Sequence, residues 1–437
     1  MKCLRLAAVS MLSILPLIAF SQAARPIPTE TARAYFAEAQ SLCQADHGEL
    51  WGISLCGPMM FVDAKSRFVV ANQADANGAL KAEGDIFIGY LPLDQNVANT
   101  AIEWSGVRWT QISWPLPVEE RYRKTLMAHE LFHRIEPKLN LPAPQGREEN
   151  AQLDTLDGRY ILQLELRALA RALRAQTDGE RKKAAGDAVL FRAERYRLFP
   201  GAAAQEQALE WNEGLAEFTG VRVGNATQEQ QVQMALSDIS RLGDASTFVR
   251  SFPYATGPAY GLLLDRYSPG WHRALKAGDG YDTLLEKALN YYLPANLHQV
   301  MEQQATLYDG ATLRAAEMER ETKRQEALAR YRAKFLDGPV LILPFRNMHV
   351  VFDPSNLQPL ENAGTVYPTM RITDDWGILR ATNGALLKSD WSAVIVVAPS
   401  VSAGSSLKGD GWTLELKPGW KIVPGARKGD FILASGS

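Results

Sequence analysis

Cysteine and histidine are scarce in this chain, with 3 and 6 residues among 437. With Cys3 ahead of the longest apolar run, only Cys43 and Cys56 are left for the folded part of the chain, and a thiolate zinc site is not expected. Charge of one sign is also missing. The 47 basic and 49 acidic residues are mixed along the chain and leave a formal net charge of -2, without the basic footprint of a nucleic-acid binder. There is no internal repeat and no low-complexity segment. The longest apolar run, Leu6 to Phe20, is short for a bilayer span, so no stable transmembrane anchor is expected. What is present is ordinary globular composition, 46% hydrophobic and 22% charged, in a chain too long for one core.

Lys2 and Arg5 precede that apolar run, and the small residues Ser21, Ala23 and Ala24 follow it. This is the layout of a cleaved signal peptide, residues 1–24, and it implies export to the periplasm or beyond. Cleavage would remove two basic and no acidic residues, taking the charge from -2 to -4. Cys43 and Cys56 then remain, with Gln44 to Leu55 between them; they read either as one disulfide or as two separate buried thiols.

Thr29 to Ala45 has helical spacing. Strand-like runs follow at Leu50 to Val62, Arg67 to Ala71, Asp85 to Leu91 and Gly106 to Trp114. A helix from Val118 to about Ile135 ends before Pro137. Further helices read from Glu149 to Gln176, Glu180 to Leu198, and Ala202 to Thr219, the last closed by Gly220. Others run from Gly257 to Tyr267 and from about Tyr281 to Phe335, with breaks at Pro294 and Asp309-Gly310. From Gly338 short strands return, as in a small sandwich without evident chemistry. The expected class is α+β: a β-rich part over residues 25–120, a helical part over 121–335, and an all-β domain over 338–437.

The chemistry-bearing motif is His129-Glu130-Leu131-Phe132-His133. At i and i+4 on a helix, both imidazoles can point at one metal, and neutral imidazole is a good zinc ligand. Glu130, about 100° round the helix from His129, stays off the metal but beside an attacking water, as a general base requires. A chance match is expected in roughly one such chain in a few hundred. In zinc hydrolases that use a third histidine, Gly would stand at 136 and His at 139; Glu136 and Leu139 exclude that class. A glutamate on a later helix is the other common third ligand. Trp211 to Phe218 supplies Glu213 as ligand and Glu217, again i+4, to accept an N–H from a ligand histidine. Two acids among Trp, Leu, Ala and Phe need a partner such as a metal.

In these residues the chain resembles the gluzincin metallopeptidases, especially those of the aminopeptidase N type. They pair HExxH with a downstream N-E-G-x-A-E segment, matched by Asn212 to Glu217. They also carry a tyrosine in P-Y-x-x-G, matched by Pro253 to Gly257. The resemblance implies a zincin-like catalytic domain with one zinc per chain, a peptide or protein substrate, and Tyr254 as hydrogen-bond donor to the developing oxyanion. Tyr260 is the reserve. The match covers roughly Gly106 to Tyr267. From His133 to Glu213 is 213 − 133 = 80 residues, far more than in those relatives, so Glu149 to Leu198 reads as an insertion. The G-x-M-E-N segment that reads a free N-terminus is absent, though the strand Gly106 to Trp114 could pair with an extended peptide as an edge strand does. Endo- and aminopeptidase action both stay open.

Two other classes remain: a cell-envelope binding or scaffold protein with a zincin-like core, and a zinc hydrolase of non-peptide amides or esters. The intact Glu130 argues against the first. His47, His272, His298 and His349 each stand alone and read as packed or surface residues. Asn225-Ala226-Thr227 matches a glycosylation acceptor, although the short signal has bacterial proportions.

Overall fold

The computed structural model describes residues 25–93, 95–141, 150–243, 245–352, 357–403 and 406–435. The expected signal peptide lies outside them. The protein is a mixed α+β chain that folds as two compact units, Met1–Ser41 with Cys56–Val118 and Leu42–Leu55 with Glu119–Ser437. Among the described residues no helix is long and apolar enough to cross a membrane.

The chain enters through α1 (Thr29–Asp46) and then builds a six-stranded sheet from β1 (Met59–Asp63), β2 (Phe68–Ala71), β3 (Lys81–Glu83), β4 (Ile86–Tyr90), β5 (Thr100–Trp104) and β6 (Val107–Trp114), ordered β3-β4-β2-β1-β6-β5. Among the described residues of this sheet, only β1 and β6 pair in parallel. Met60 and Val62 face a core with Val69 and Trp109, while Phe61 on the other side stacks on Phe36 at 4.5 Å. Burial on both faces explains why β1 reads as a continuous apolar run. Two expectations fail here. The strand expected from Leu50 begins only at Met59. The strand expected as an edge, β6, lies between β1 and β5, so its backbone is not open to a peptide. Its partner β5 leads into it through a two-residue turn at Ser105 (φ 49°) and Gly106 (φ 76°), the double left-handed conformation that matches strand twist in hairpins.

In the second unit α2 (Glu120–Ile135) precedes α3 (Leu156–Arg174) and α4 (Asp178–Leu198). The helix α4 starts two residues before its expected position, because Thr177 and Glu180 form a reciprocal capping box. The helix expected over Ala202 to Thr219 is three pieces: α5 (Ala202–Leu209), a π-helical turn (Glu210–Gly214) and α6 (Leu215–Gly224). Gly220 does not end it. An unforeseen α7 (Gln228–Gly243) follows, then α8 (Pro253–Tyr267), α9 (Tyr281–Leu289), α10 (Leu297–Ala305) and α11 (Gly310–Arg332).

Under the π turn lies a cluster of ion pairs. Arg192 on α4 bridges Glu165 (2.7 Å) and, bidentately, Glu210 (2.7 and 2.9 Å). Arg195, three residues on, bridges Glu165 (2.6 Å) and Glu206 (2.6 Å). All five side chains are at most 2% exposed. Three carboxylates against two guanidiniums leave an excess negative charge away from water. Burial accordingly raises the Glu210 carboxyl to about 7, against the pull of Arg192 and Thr256 and with a push from Glu206. A carboxyl that holds its proton more tightly folded than unfolded stabilises the fold in acid. That contribution is complete below the ordinary glutamate range and is lost as pH rises through about 7. Unfolding midpoints in urea from about pH 5 to pH 8 should therefore fall more steeply in wild type than in Glu210→Gln. Parallel profiles would reject this account.

From Gly338 the chain is all-β, in a seven-stranded and a six-stranded sheet. Leu341, Leu343, Val394 and Val396 of one sheet share a core with Ile372, Leu379, Leu407 and Leu414 of the other. Two sheets on one core make the expected sandwich. Leu360, Val366 and Leu386 form a second cluster with Phe335, just past α11.

Candidate metal centre

The helix α2 buries Met127, Ala128, Leu131, Phe132 and Ile135, and the next stripe of its surface carries His129 and His133. What faces that stripe is set by two glycines. A Cβ on Gly220 would lie 2.7 Å from the Thr125 carbonyl oxygen and 3.4 Å from His129 Cβ; one on Gly224 would lie 2.8 Å from the Thr125 nitrogen. The residue expected to stop α6 is thus where α6 touches the backbone of α2. Gly220→Ala is expected to force the helices apart, lowering stability by about 1–3 kcal/mol and weakening metal uptake. Thermal unfolding and chelator competition measure both, and a variant equal to wild type in each would refute the close-contact reading.

This approach brings the expected ligands together. His129 Nε2 lies 3.1 Å from His133 Nε2, and Glu213 Oε2 lies 3.5 Å and 3.7 Å from the two nitrogens. Atoms so spaced share a point about 2 Å from all three, the length of zinc–nitrogen and zinc–carboxylate bonds. Among the described residues this is the one group of three or more His, Cys, Asp or Glu side chains that could hold a metal ion. Glu213 sits in the π turn, a local irregularity frequent at functional sites.

Each histidine has a carboxylate on its other nitrogen. Glu217 Oε2 is 2.7 Å from His129 Nδ1, and Glu136 Oε2 is 3.2 Å from His133 Nδ1. An ionised carboxylate only accepts, so each neutral imidazole donates from Nδ1 and keeps its Nε2 lone pair for a metal. Glu217 was foreseen. Glu136 was not, although its i+3 spacing from His133 was a usable signal.

The site's field favours positive charge. Burial opposes protonation of His129, yet Glu213 and Glu217, with Glu130, outweigh it and raise the imidazole to about 10. For His133 burial again opposes, and Glu136 and Glu213 prevail, raising it to about 9. Glu213 is held ionised despite its burial by both histidines and Tyr254.

Glu130 is 3% exposed, with Oε1 4.0 Å from His129 Nε2 and, among the described residues, no partner for Oε2. Burial raises its carboxyl, partly offset by the two histidines. Tyr254 donates from its hydroxyl to Glu213 Oε2 at 2.7 Å, and its ring stacks parallel to that of His129 at 5.6 Å. Another close approach sets its place: a Cβ on Gly257 would lie 2.3 Å from the Gly214 carbonyl oxygen. Burial raises the Tyr254 phenol well above its ordinary value, with Glu213 adding, so it stays a donor. The reserve, Tyr260, is not at the site; it is fully buried and donates to Glu165 at 2.9 Å.

Asp238 was also missed. It is 3% exposed on α7, pairs with Arg241 through one oxygen and has no partner for Oδ2. Burial and the Glu217 charge raise its carboxyl to about 8, against Arg241.

The remaining sequence candidates stand elsewhere. His272 packs among Trp51, Phe218 and Trp271, and His298 pairs with Glu194 at 2.8 Å. Asn225 is buried and donates to Thr125 Oγ1 and the Val221 carbonyl oxygen, so its amide is not available to a glycan. Cys43 and Cys56 are disulfide-bonded. No family model matches the chain, and no curated protein or solved structure matches it either.

Proposed function

We propose that this protein is an exported zinc-dependent metallopeptidase of gluzincin type. The observation that carries the reading is the convergence of His129 Nε2, His133 Nε2 and Glu213 Oε2 beside the buried, unpartnered Oε2 of Glu130. The fit with zinc rests on the donor set, two imidazoles and one carboxylate with a carboxylate behind each imidazole. When bound, the metal supplies a Lewis acid that makes water nucleophilic near neutral pH.

The chain's own groups would do the rest. Glu130 takes the proton of the attacking water and delivers it to the departing amine, a role its raised carboxyl suits. The Tyr254 hydroxyl, now on Glu213, turns to the developing oxyanion. Glu217 and Glu136 keep both imidazoles in the ligating tautomer. The N-terminal pattern of charge, apolar run and small residues supports export.

Purified protein is expected to hold about one zinc per chain, as a single three-ligand site requires, and His129→Ala or Glu213→Ala to hold none by elemental analysis. Wild type without zinc after reconstitution would defeat the proposal. A mixed peptide library then reads the substrate: internal cuts mean an endopeptidase, cuts only after the first residue an aminopeptidase.

A further inference from the structure

The helices α3 and α4 stand between the two halves of the metal site in sequence, and they contribute no ligand to it. They contribute instead the buried ion cluster. Glu210, which Arg192 grips with both ends of its fork, is the first residue of the π turn and lies three residues before Glu213. The same carboxylate accepts from the Thr256 hydroxyl at 2.6 Å, two residues past Tyr254 on α8. Glu165, on the far side of Arg192, accepts from the Tyr260 hydroxyl at 2.9 Å, also on α8. The cluster therefore holds both elements that meet at the site, the turn carrying Glu213 and the helix carrying Tyr254. Surface ion pairs could not do this, because solvated side chains wander; here the partners have no water to turn to.

Resting on the metal reading above, we propose that Arg192 and Glu210 are positioning residues, which with Glu165 and Thr256 hold the Glu213 turn and the Tyr254 helix in the register the metal centre needs. Both Glu210 oxygens accept: Oε2 from Arg192, and Oε1 from Arg192 and Thr256. Once ionised, above about pH 7, the carboxylate only accepts whereas an amide offers one acceptor, so there an N–H of Glu210→Gln must confront a donor, and the turn must shift to relieve it.

The test is the zinc dissociation constant by chelator competition, measured on full-length protein at a temperature where every variant is folded by circular dichroism. Glu210→Gln should bind zinc about ten- to a hundredfold more weakly, the usual effect of disturbing groups behind the ligands. Thr256→Val removes one hydrogen bond and no charge; it should weaken binding about two- to tenfold and keeps the test decisive if Glu210→Gln fails to fold. Glu317→Gln is the comparison, since Glu317 is another buried acid, paired with Arg159, Gln163 and Arg320 rather than with the turn or the cluster. It should lower the unfolding temperature and leave zinc affinity unchanged. Wild-type affinity in both folded cluster variants overturns the proposal, and so does an equal loss in Glu317→Gln, which would mean general loosening. Wild type that takes up no zinc overturns the metal reading first and the positioning with it.

Discussion

On the proposed function, Glu130→Gln is expected to bind zinc as wild type does and to lose peptide hydrolysis by about a hundredfold to ten-thousandfold, the range a general base contributes. The separation of effects follows from geometry. Glu130 Oε1 is 4.0 Å from His129 Nε2, and Glu130 is not among the three donors, so its charge is not needed to hold the metal. Its Oε2 is buried without a partner, and an amide there can no longer take a proton. Turnover of a cleaved library peptide and zinc content, on the same sample, measure the two. Full turnover in the variant would remove Glu130 from the chemistry. Loss of zinc along with activity would make it a structural part of the site instead.

Arg192→Met should be among the most destabilising single changes in the chain. The side chain is fully buried and its removal leaves Glu165 with one guanidinium and Glu210 with none. Breaking such a pair by deleting one partner costs about 3–5 kcal/mol, because the carboxylate left behind is neither solvated nor paired. An exposed pair such as Lys323–Glu319 is worth only a few tenths of a kcal/mol. For a chain of this size the loss corresponds to a drop in unfolding temperature of about 3–5 °C. The double change Arg192→Met with Glu210→Met should recover part of it, since two apolar groups carry no desolvation debt. A single variant within about 1 kcal/mol of wild type would show that the cluster is wetter than its burial indicates.

How far the fold could be read depended on what each segment answers to. Long helices with local signals, such as α2 and α4, were found to within two residues. The segment from Ala202 was not, since nothing local separates a π turn from an α turn. The first residue of that turn, Glu210, is gripped by Arg192, 18 residues earlier in the chain, a contact that no local pattern announces. The strand β6 was located but taken for an edge, because pairing with the short β5 is a property of the sheet. Gly220 was taken for a terminator because, in sequence, a glycine near a helix end looks the same whether it stops the helix or lets another backbone approach.

By itself, the sequence determined the chemistry on offer: an HExxH pair one helical turn apart, a later glutamate pair at the same spacing, and a tyrosine after them. These are short-range patterns, and residues on one face of one helix need no partner to be aligned. Tertiary structure decided everything that depends on two elements meeting. It brought α6 against α2 through Gly220 and Gly224, assigned Glu136 and Glu217 to separate histidines, sent Tyr254 to Glu213 and Tyr260 to Glu165, and buried Asp238 beside the site. The reason is physical: which side chains touch is set by the closeness and rotation of packed helices, and those follow from side-chain volumes far apart in the chain.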